Sequence, residues 1–226
     1  MRCKLLTSLL LGSLPHPALS VTNQVTNAKE LREVLLAGHH PAALKEVTVE
    51  RGCGPAGCSI DVDAISILNE RREFRQLSGK PILLREIDST RFPGGLPEMN
   101  WEPLGAYKVH SAQKLWGLCI EFSHSGLGQS GSLQRWNSVV LLPVKGNHPP
   151  SIGYRWVGYW LNCDALATST KADEILLPTV IPTSEYAKLE IQWRRCSAKA
   201  CSFEPDARSA RKQPDSEIGD LVVEAK

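Results

Sequence analysis

The sequence predicts a mainly β protein of the α+β class: an antiparallel sheet or sandwich-like β domain with one helix at its N-terminal end. Much of the chain alternates apolar and polar residues, as in the run from Val47 to Glu50. A period of two is that of a strand with one buried face. The alternating runs follow one another with turn-sized gaps, which favours antiparallel pairing.

The start of the chain has the pattern of a removable export signal. Arg2 and Lys4 precede an apolar run from Leu5 to Leu14, prolines interrupt it, and small residues follow up to Ser20. The run is shorter than the roughly twenty apolar residues that a membrane span requires. We therefore expect a signal peptide over residues 1–20, cleavage after Ser20, and a periplasmic or secreted protein with no membrane insertion after cleavage.

The next segment has helical spacing. Asn27 followed three residues later by Glu30 is typical of a capping box, apolar residues then recur on one face, and Gly38 ends the helix. His39 and His40 follow directly, and we expect them to act as cationic caps for the carbonyl groups at the C-terminal end of the helix.

The strands begin with a hairpin. The runs around Val49 and Ile60 flank the turn Cys53-Gly-Pro-Ala-Gly-Cys58, and alternating runs joined by such a turn predict paired strands. A surface loop is expected over residues 89–103, which are rich in proline and glycine. The further strands are predicted at residues 81–87, 107–109, 115–123, 135–144, 154–161, 174–180 and 189–195.

The chain becomes polar and charged beyond Phe203. We therefore divide the mature protein into a single β-rich domain over residues 21–204 and a flexible C-terminal tail over residues 205–226. Within that tail, Leu221 to Val223 is apolar enough to dock as a last short strand.

The charge of the mature chain is close to zero. The whole chain has 26 basic and 24 acidic residues, and loss of Arg2 and Lys4 leaves 24 of each. Proteins that bind nucleic acid usually carry an excess of basic residues, which this chain lacks, so no nucleic acid is expected as a partner.

Six cysteines follow the predicted signal, four of them in two Cys-x-x-x-x-Cys loops. Six cysteines allow fifteen pairings. The spacing favours the local pairs Cys53–Cys58 and Cys196–Cys201, which leaves Cys119 and Cys163 for each other. A zinc site or a redox pair is a less favoured alternative, because both usually have tighter spacing. No metal or cofactor is expected.

Two segments are candidates for binding. The glycine-serine stretch that contains His124, Ser125 and Gly126 would let a partner approach the backbone closely. Strand alternation puts Tyr154, Trp156 and Trp160 on one face, where a core role is favoured. Arg155 and Tyr159 lie on the opposite face and would serve a partner if that face is open.

No coherent catalytic set is apparent, although two carboxylates allow an alternative. Glu121 lies between apolar neighbours; a strand position that faces solvent or pairs with an arginine is favoured, and a buried carboxylate with a raised pKa is the alternative. Together with Glu102 it would form the carboxylate pair of a glycosidase. A secreted or periplasmic hydrolase that acts on cell-wall material therefore remains an alternative function, and a carbohydrate-binding module is another.

The two cysteine loops resemble those of bacterial periplasmic lysozyme inhibitors, some of which present a disulfide-closed Cys-x-x-x-x-Cys loop to the enzyme's cleft. The exported, β-rich character is also similar to that of periplasmic toxin-immunity proteins. The resemblance covers two six-residue stretches, of which the second offers Lys199 for insertion. It implies a non-enzymatic inhibitor or immunity-type protein whose partner is another protein, such as a cell-wall hydrolase or a toxin.

Overall fold

A computed structural model describes residues 22–54, 57–68, 70–87, 98–124, 136–146, 148–171, 173–183, 188–212 and 221–225. The predicted signal peptide lies outside the described residues, as do Ser125 and Gly126. The described chain is mostly β-strand with an α-helix near its N-terminal end, so the predicted fold class is confirmed.

The α-helix, α1, spans Ala28–Leu35. The strands in chain order are β1 (Thr22–Val25), β2 (Ala43–Glu46), β3 (Val49–Gly54), β4 (Gly57–Val62), β5 (Ile65–Leu68), β6 (Glu73–Gln76), β7 (Pro81–Glu86), β8 (Met99–Ser111), β9 (Lys114–His124), β10 (Trp136–Pro143), β11 (Ile152–Tyr159), β12 (Ala167–Thr168), β13 (Ile175–Pro182), β14 (Lys188–Cys196), β15 (Cys201–Lys212) and β16 (Leu221–Ala225).

The start of α1 agrees with the predicted capping box. The side chain of Asn27 accepts the backbone N–H of Glu30 at 3.0 Å, and the Glu30 carboxylate accepts the backbone N–H of Thr26 at 2.8 Å. These bonds satisfy amide groups that a helix start leaves without partners. The second of these bonds, from the backbone N–H of Thr26, is the largest cause of the lowered pKa of Glu30.

The C-terminal end of α1 is capped by an arginine rather than by the predicted histidines. Arg208 donates to the carbonyl oxygens of Val34 at 2.6 Å and Leu35 at 3.2 Å. His39 instead packs against Trp193, with ring centroids 4.3 Å apart. The cation that complements the helix end therefore comes from a strand far along the chain.

Ten strands form a strongly curled sheet in the order β2-β8-β9-β10-β11-β7-β6-β5-β4-β3. Neighbouring strands are antiparallel except β7 and β11, which are parallel. The backbone N–H of Val47, between the two edge strands, donates to Ala106 of β8 at 2.9 Å, which brings the ends of the sheet together. The enclosed core contains Ile60, Val62, Ile65, Ile67, Phe74, Ile82, Met99, Ala106, Leu118, Ile120, Phe122, Val140 and Leu142.

Six strands form a second sheet, in the order β1-β16-β15-β14-β13-β12. On one face, Ile175 and Leu177 pack with Tyr154 and Trp156 of the curled sheet. On the other face, Val180 and its neighbours pack with the apolar side of α1. That second face is covered by α1 together with Trp136, Val157 and Tyr159 of the curled sheet.

Two segments differ from the sequence prediction. Residues 205–212 belong to β15, and β16 pairs with both β15 and β1, so the flexible tail is wrong for these residues while the last short strand is confirmed. Residues 99–103 begin β8 instead of ending a loop. Pairing with β14 and β9 supplies order that local composition does not indicate.

No helix within the described residues is long and apolar enough to cross a membrane.

Candidate functional site

The six described cysteines pair as the spacing favours. Cys53 and Cys58 face each other at the tip of the β3–β4 hairpin, and Cys196 and Cys201 do so at the tip of the β14–β15 hairpin. Cys119 of β9 is joined to Cys163, 44 residues away, in a short 3-10 turn. Three such pairs are typical of proteins that mature in an oxidising, extracellular environment.

The Cys196–Cys201 tip presents Lys199 to solvent. The N–H of Ser197 donates to the carbonyl of Ala200 at 2.9 Å, and the hydroxyl oxygen of Ser197 accepts the N–H of Lys199 at 3.2 Å. Lys199 is exposed, whereas Cys196 is fully buried. The lysine therefore stands on a turn that internal hydrogen bonds and a disulfide hold in one shape.

Ionic contacts anchor the base of this tip. Arg195 donates to Glu204 on the adjacent strand at 2.8 Å and to Glu174 at 3.2 Å. The hydrogen bond from Arg195 holds the pKa of Glu204 below its usual range. Burial acts to raise the pKa of Glu174, but hydrogen bonds from Arg195 and Lys171 outweigh it and lower the pKa. Both carboxylates are therefore ionised partners of Arg195 at neutral pH.

An exposed aromatic ring lies two residues beyond the tip. Phe203 retains 45 % exposure, and the guanidinium of Arg194 lies 4.7 Å from its ring centroid. Large aromatic and cationic side chains of this kind are enriched among the residues that contribute most to protein–protein binding. We refer to Lys199 and Phe203 together as the tip surface.

His124 and Arg155, two predicted binding residues, are brought together through Ser138. His124 Nε2 lies 3.5 Å from the Ser138 hydroxyl, which accepts from Arg155 Nε at 3.2 Å. Arg155 also donates to Glu86 at 2.8 Å. Burial lowers the pKa of Arg155, opposed by the charge of Glu86. The chain of contacts joins β9, β10, β11 and β7 across the curled sheet.

The face that holds Arg155 and Tyr159 is not open. Arg155 is 6 % exposed and Tyr159 is 3 % exposed. Tyr159 packs edge-on against Trp136, with ring centroids 5.4 Å apart, in the core beneath α1. Arg155 and Tyr159 were expected to bind a partner only if their face of β11 is open. Both faces of β11 are covered, so this condition is not met.

The aromatic stripe belongs to the core. Tyr154 and Trp156 share a face and a core cluster, as alternation predicts. Placing Trp160 with them is wrong, because Trp160 follows the end of β11 in the left-handed backbone region, with φ 49°, and packs against Tyr159. Trp193 lies in a separate cluster with Leu36, Ala167 and Leu176.

Glu121 is half-buried beside the long-range disulfide. Its carboxylate accepts the backbone N–H of Cys163 at 2.7 Å. Burial raises its pKa, the Cys163 hydrogen bond lowers it, and the charge of Asp164 raises it further, with a net increase. Asp164 is ion-paired with Arg32 of α1 at 2.7 Å. The raised pKa agrees with the less favoured interpretation of the sequence, and the hydrogen bond to the Cys163 turn was not predicted.

The two carboxylates of the hydrolase alternative have separate partners. Glu102 lies 3.6 Å from Arg51, whereas Glu121 is bound to Cys163. In the described part of the chain, no three His, Cys, Asp or Glu side chains come close enough together to hold a metal ion.

No protein-family model matches the chain, and no curated protein or solved structure is significantly similar to it.

Proposed function

We propose that this chain is an exported, non-enzymatic protein of inhibitor or immunity type, which binds another protein through the tip surface. The observation that supports this most directly is the Cys196–Cys201 hairpin, in which a disulfide and Ser197 fix the position of an exposed lysine. A preorganised element loses little conformational freedom on binding, so more of its contact energy contributes to affinity.

The chemistry of the tip fits an acidic cleft. Lys199 is a single cation at the apex, and Phe203 offers apolar area on the strand that leaves it. Hydrolases that cleave glycosidic bonds carry two carboxylates on either side of the scissile bond. A lysine inserted between them would occupy the cleft and pair with the charges, which favours a cell-wall hydrolase as the partner.

The signal-like start of the chain and the cysteine pairs both support export. Structural disulfides are typical of oxidising compartments, which in bacteria are the periplasm and the exterior. Expression of the full chain in bacteria should yield a mature protein that starts at Val21 in the periplasmic fraction. An intact Met1 and reduced cysteines in the cytoplasm would contradict export.

The binding function is tested by inhibition of purified muramidases of several structural classes, measured as the clearing of a cell-wall suspension. We expect inhibition of at least one class. Lys199→Glu should weaken that inhibition by about tenfold or more, because like charges would meet in the cleft. Lys114→Glu makes the same charge change at the exposed first residue of β9 and should have no effect.

Three outcomes would favour other functions. Clearing of the suspension by the chain itself, abolished by Glu121→Gln, would indicate the hydrolase alternative. Quenching of tryptophan fluorescence by soluble glycans, without inhibition, would indicate a carbohydrate-binding module. Equal inhibition by the Lys199→Glu variant and the unmodified chain would place the binding surface away from the tip.

A further inference from the structure

One edge of the curled sheet has no partner strand in the part of the chain that the structure describes. The sheet ends in β2 on one side and β3 on the other. Within the described residues, β3 pairs only with β4, and every residue from Glu50 to Gly54 is exposed. An exposed edge strand presents a row of backbone N–H and C=O groups that can pair with another extended chain.

The register of the β3–β4 hairpin identifies which backbone groups face outward. Cys53 and Cys58 are directly opposite, and their Cα atoms are 4.1 Å apart. This short separation is typical of a non-hydrogen-bonded pair, in which the backbone groups of both residues point away from the partner strand. Since orientation alternates, Arg51 and Val49 also direct their N–H and C=O groups to the open side.

The open edge forms one wall of a groove of about 560 Å³. The opposite wall is the first half of β8, from Pro103 to Ala106, which pairs with β9 and, at Ala106 alone among the described residues, accepts a bond from Val47. Leu104 in this wall is 62 % exposed. The walls meet where Val47 donates to Ala106, and Arg51 and Glu102 approach to 3.6 Å farther along.

The groove between β3 and β8 favours a single extended segment over a second folded copy of the chain. A second folded copy would have to bring a whole sheet behind its own edge strand, and the β8 wall stands in its path. A single extended segment has no such neighbour. It can pair with the outward groups of Val49, Arg51 and Cys53 while alternate side chains contact Val47 and Leu104.

We propose that the open edge of β3 binds an extended segment of a partner polypeptide as an added strand, with apolar residues at alternate positions of that segment. The site is on the Cys53–Cys58 hairpin and does not include the tip surface. Failure of the proposed inhibition would therefore leave this proposal unaffected, and the reverse also holds. The disulfide keeps the hairpin in one register, which presents the edge in a fixed pattern.

The test uses the full mature chain labelled with nitrogen-15 and the peptide acetyl-Lys-Thr-Val-Thr-Val-Thr-Lys-amide. Amide hydrogen exchange is followed by NMR with and without the peptide. We expect the peptide to slow exchange at Val49, Arg51 and Cys53, and to leave Glu50 and Gly52 unchanged, since their amides already face β4. A peptide N-methylated at both valines lacks the pairing donors and should not protect these residues.

A matched pair of variants isolates the backbone contribution. Arg51→Pro removes the outward N–H without removing a β3–β4 hydrogen bond, because proline is tolerated where a strand N–H faces away from the sheet. Arg51→Ala loses the same side chain but keeps the N–H. Peptide binding should be about fivefold weaker for the proline variant than for the alanine variant. Unchanged protection at Gly52 in both variants shows that the hairpin is intact.

Several results would overturn the proposal. The N-methylated peptide could protect the edge equally well, or protection could appear at other strands or at all β3 amides alike. Equal peptide affinity in the two Arg51 variants would also contradict backbone pairing. Protection of Val49, Arg51 and Cys53 that grows with protein concentration, without peptide, would identify a second copy of the chain as the occupant.

Discussion

Removal of the Cys119–Cys163 disulfide should destabilise the protein more than removal of either hairpin disulfide. The perturbation is the double variant Cys119→Ala with Cys163→Ala, which deletes two fully buried sulfur atoms. The cross-link closes a loop with a sequence separation of 44, against 5 for each of the other two. Loop-closure entropy gives about 4 kcal/mol for the long loop and about 2 kcal/mol for each short loop.

The assay is equilibrium unfolding in urea, with thiol counting to confirm that the remaining disulfides have formed. Matched controls are the double alanine variants at Cys53 and Cys58 and at Cys196 and Cys201. A loss of 4 kcal/mol corresponds to a decrease in melting temperature of about 8–16 °C for a domain of this size. A long-loop variant no less stable than the two controls would refute the view that this disulfide is the main covalent constraint on the body of the fold.

Two further predictions concern buried charged groups. Arg208→Ala should lower the free energy of unfolding by about 2–4 kcal/mol and speed amide exchange in α1. The helix carbonyls lose their donor, and Asp206 loses its charged partner while it keeps the hydrogen bond from Trp193. Burial acts to raise the pKa of Asp206, but hydrogen bonds from Arg208 lower it below its value in the unfolded chain. The stability that this ion pair contributes is therefore present at neutral pH and is lost as the pH falls through the pKa of Asp206 in the folded protein. Urea unfolding from pH 7 down to pH 2 should show a smaller loss of stability with acid in the variant. Glu121→Gln should make the protein more stable at pH 7, because burial raises the pKa of Glu121 and folding therefore opposes its ionisation, while the amide oxygen can still accept from Cys163. The gain in stability should vanish below the pKa that Glu121 has in the unfolded chain. A variant that is no more stable than the unmodified protein at pH 7 would contradict the prediction.

Local sequence signals predicted the elements that depend on local interactions. Asn27 and Glu30 indicate the start of α1 because capping bonds join residues close in sequence. The cysteine spacing indicates the hairpin tips for the same reason. Apolar runs indicate β9 and β10, which are buried along most of their length.

The elements that sequence reasoning missed depend on distant partners. The end of β15 is polar and looks like a tail, but it is held between β14 and β16, and Arg208 reaches back to α1. The start of β8 contains Pro103, yet pairing with β9 keeps it extended. No local pattern specifies such contacts.

The candidate site was predictable to a similar extent. The exposure of Lys199 follows from its place in a tight cysteine-closed turn. The alternation of Arg155 and Tyr159 was predicted correctly, but whether their face is open depends on how the sheets and α1 stack, which covers both residues. The position of β3 at one end of a ten-stranded sheet follows from the strand order and has no counterpart in the local sequence.

The most direct test of the proposed function is calorimetric titration of the mature chain into a muramidase that it inhibits. We predict one-to-one binding that Lys199→Glu weakens by about tenfold or more, that Lys114→Glu leaves unchanged, and that a chitin oligosaccharide occupying the cleft competes away. Binding that persists equally in the Lys199→Glu variant, or that the oligosaccharide does not displace, would contradict insertion of the Cys196–Cys201 tip into the cleft.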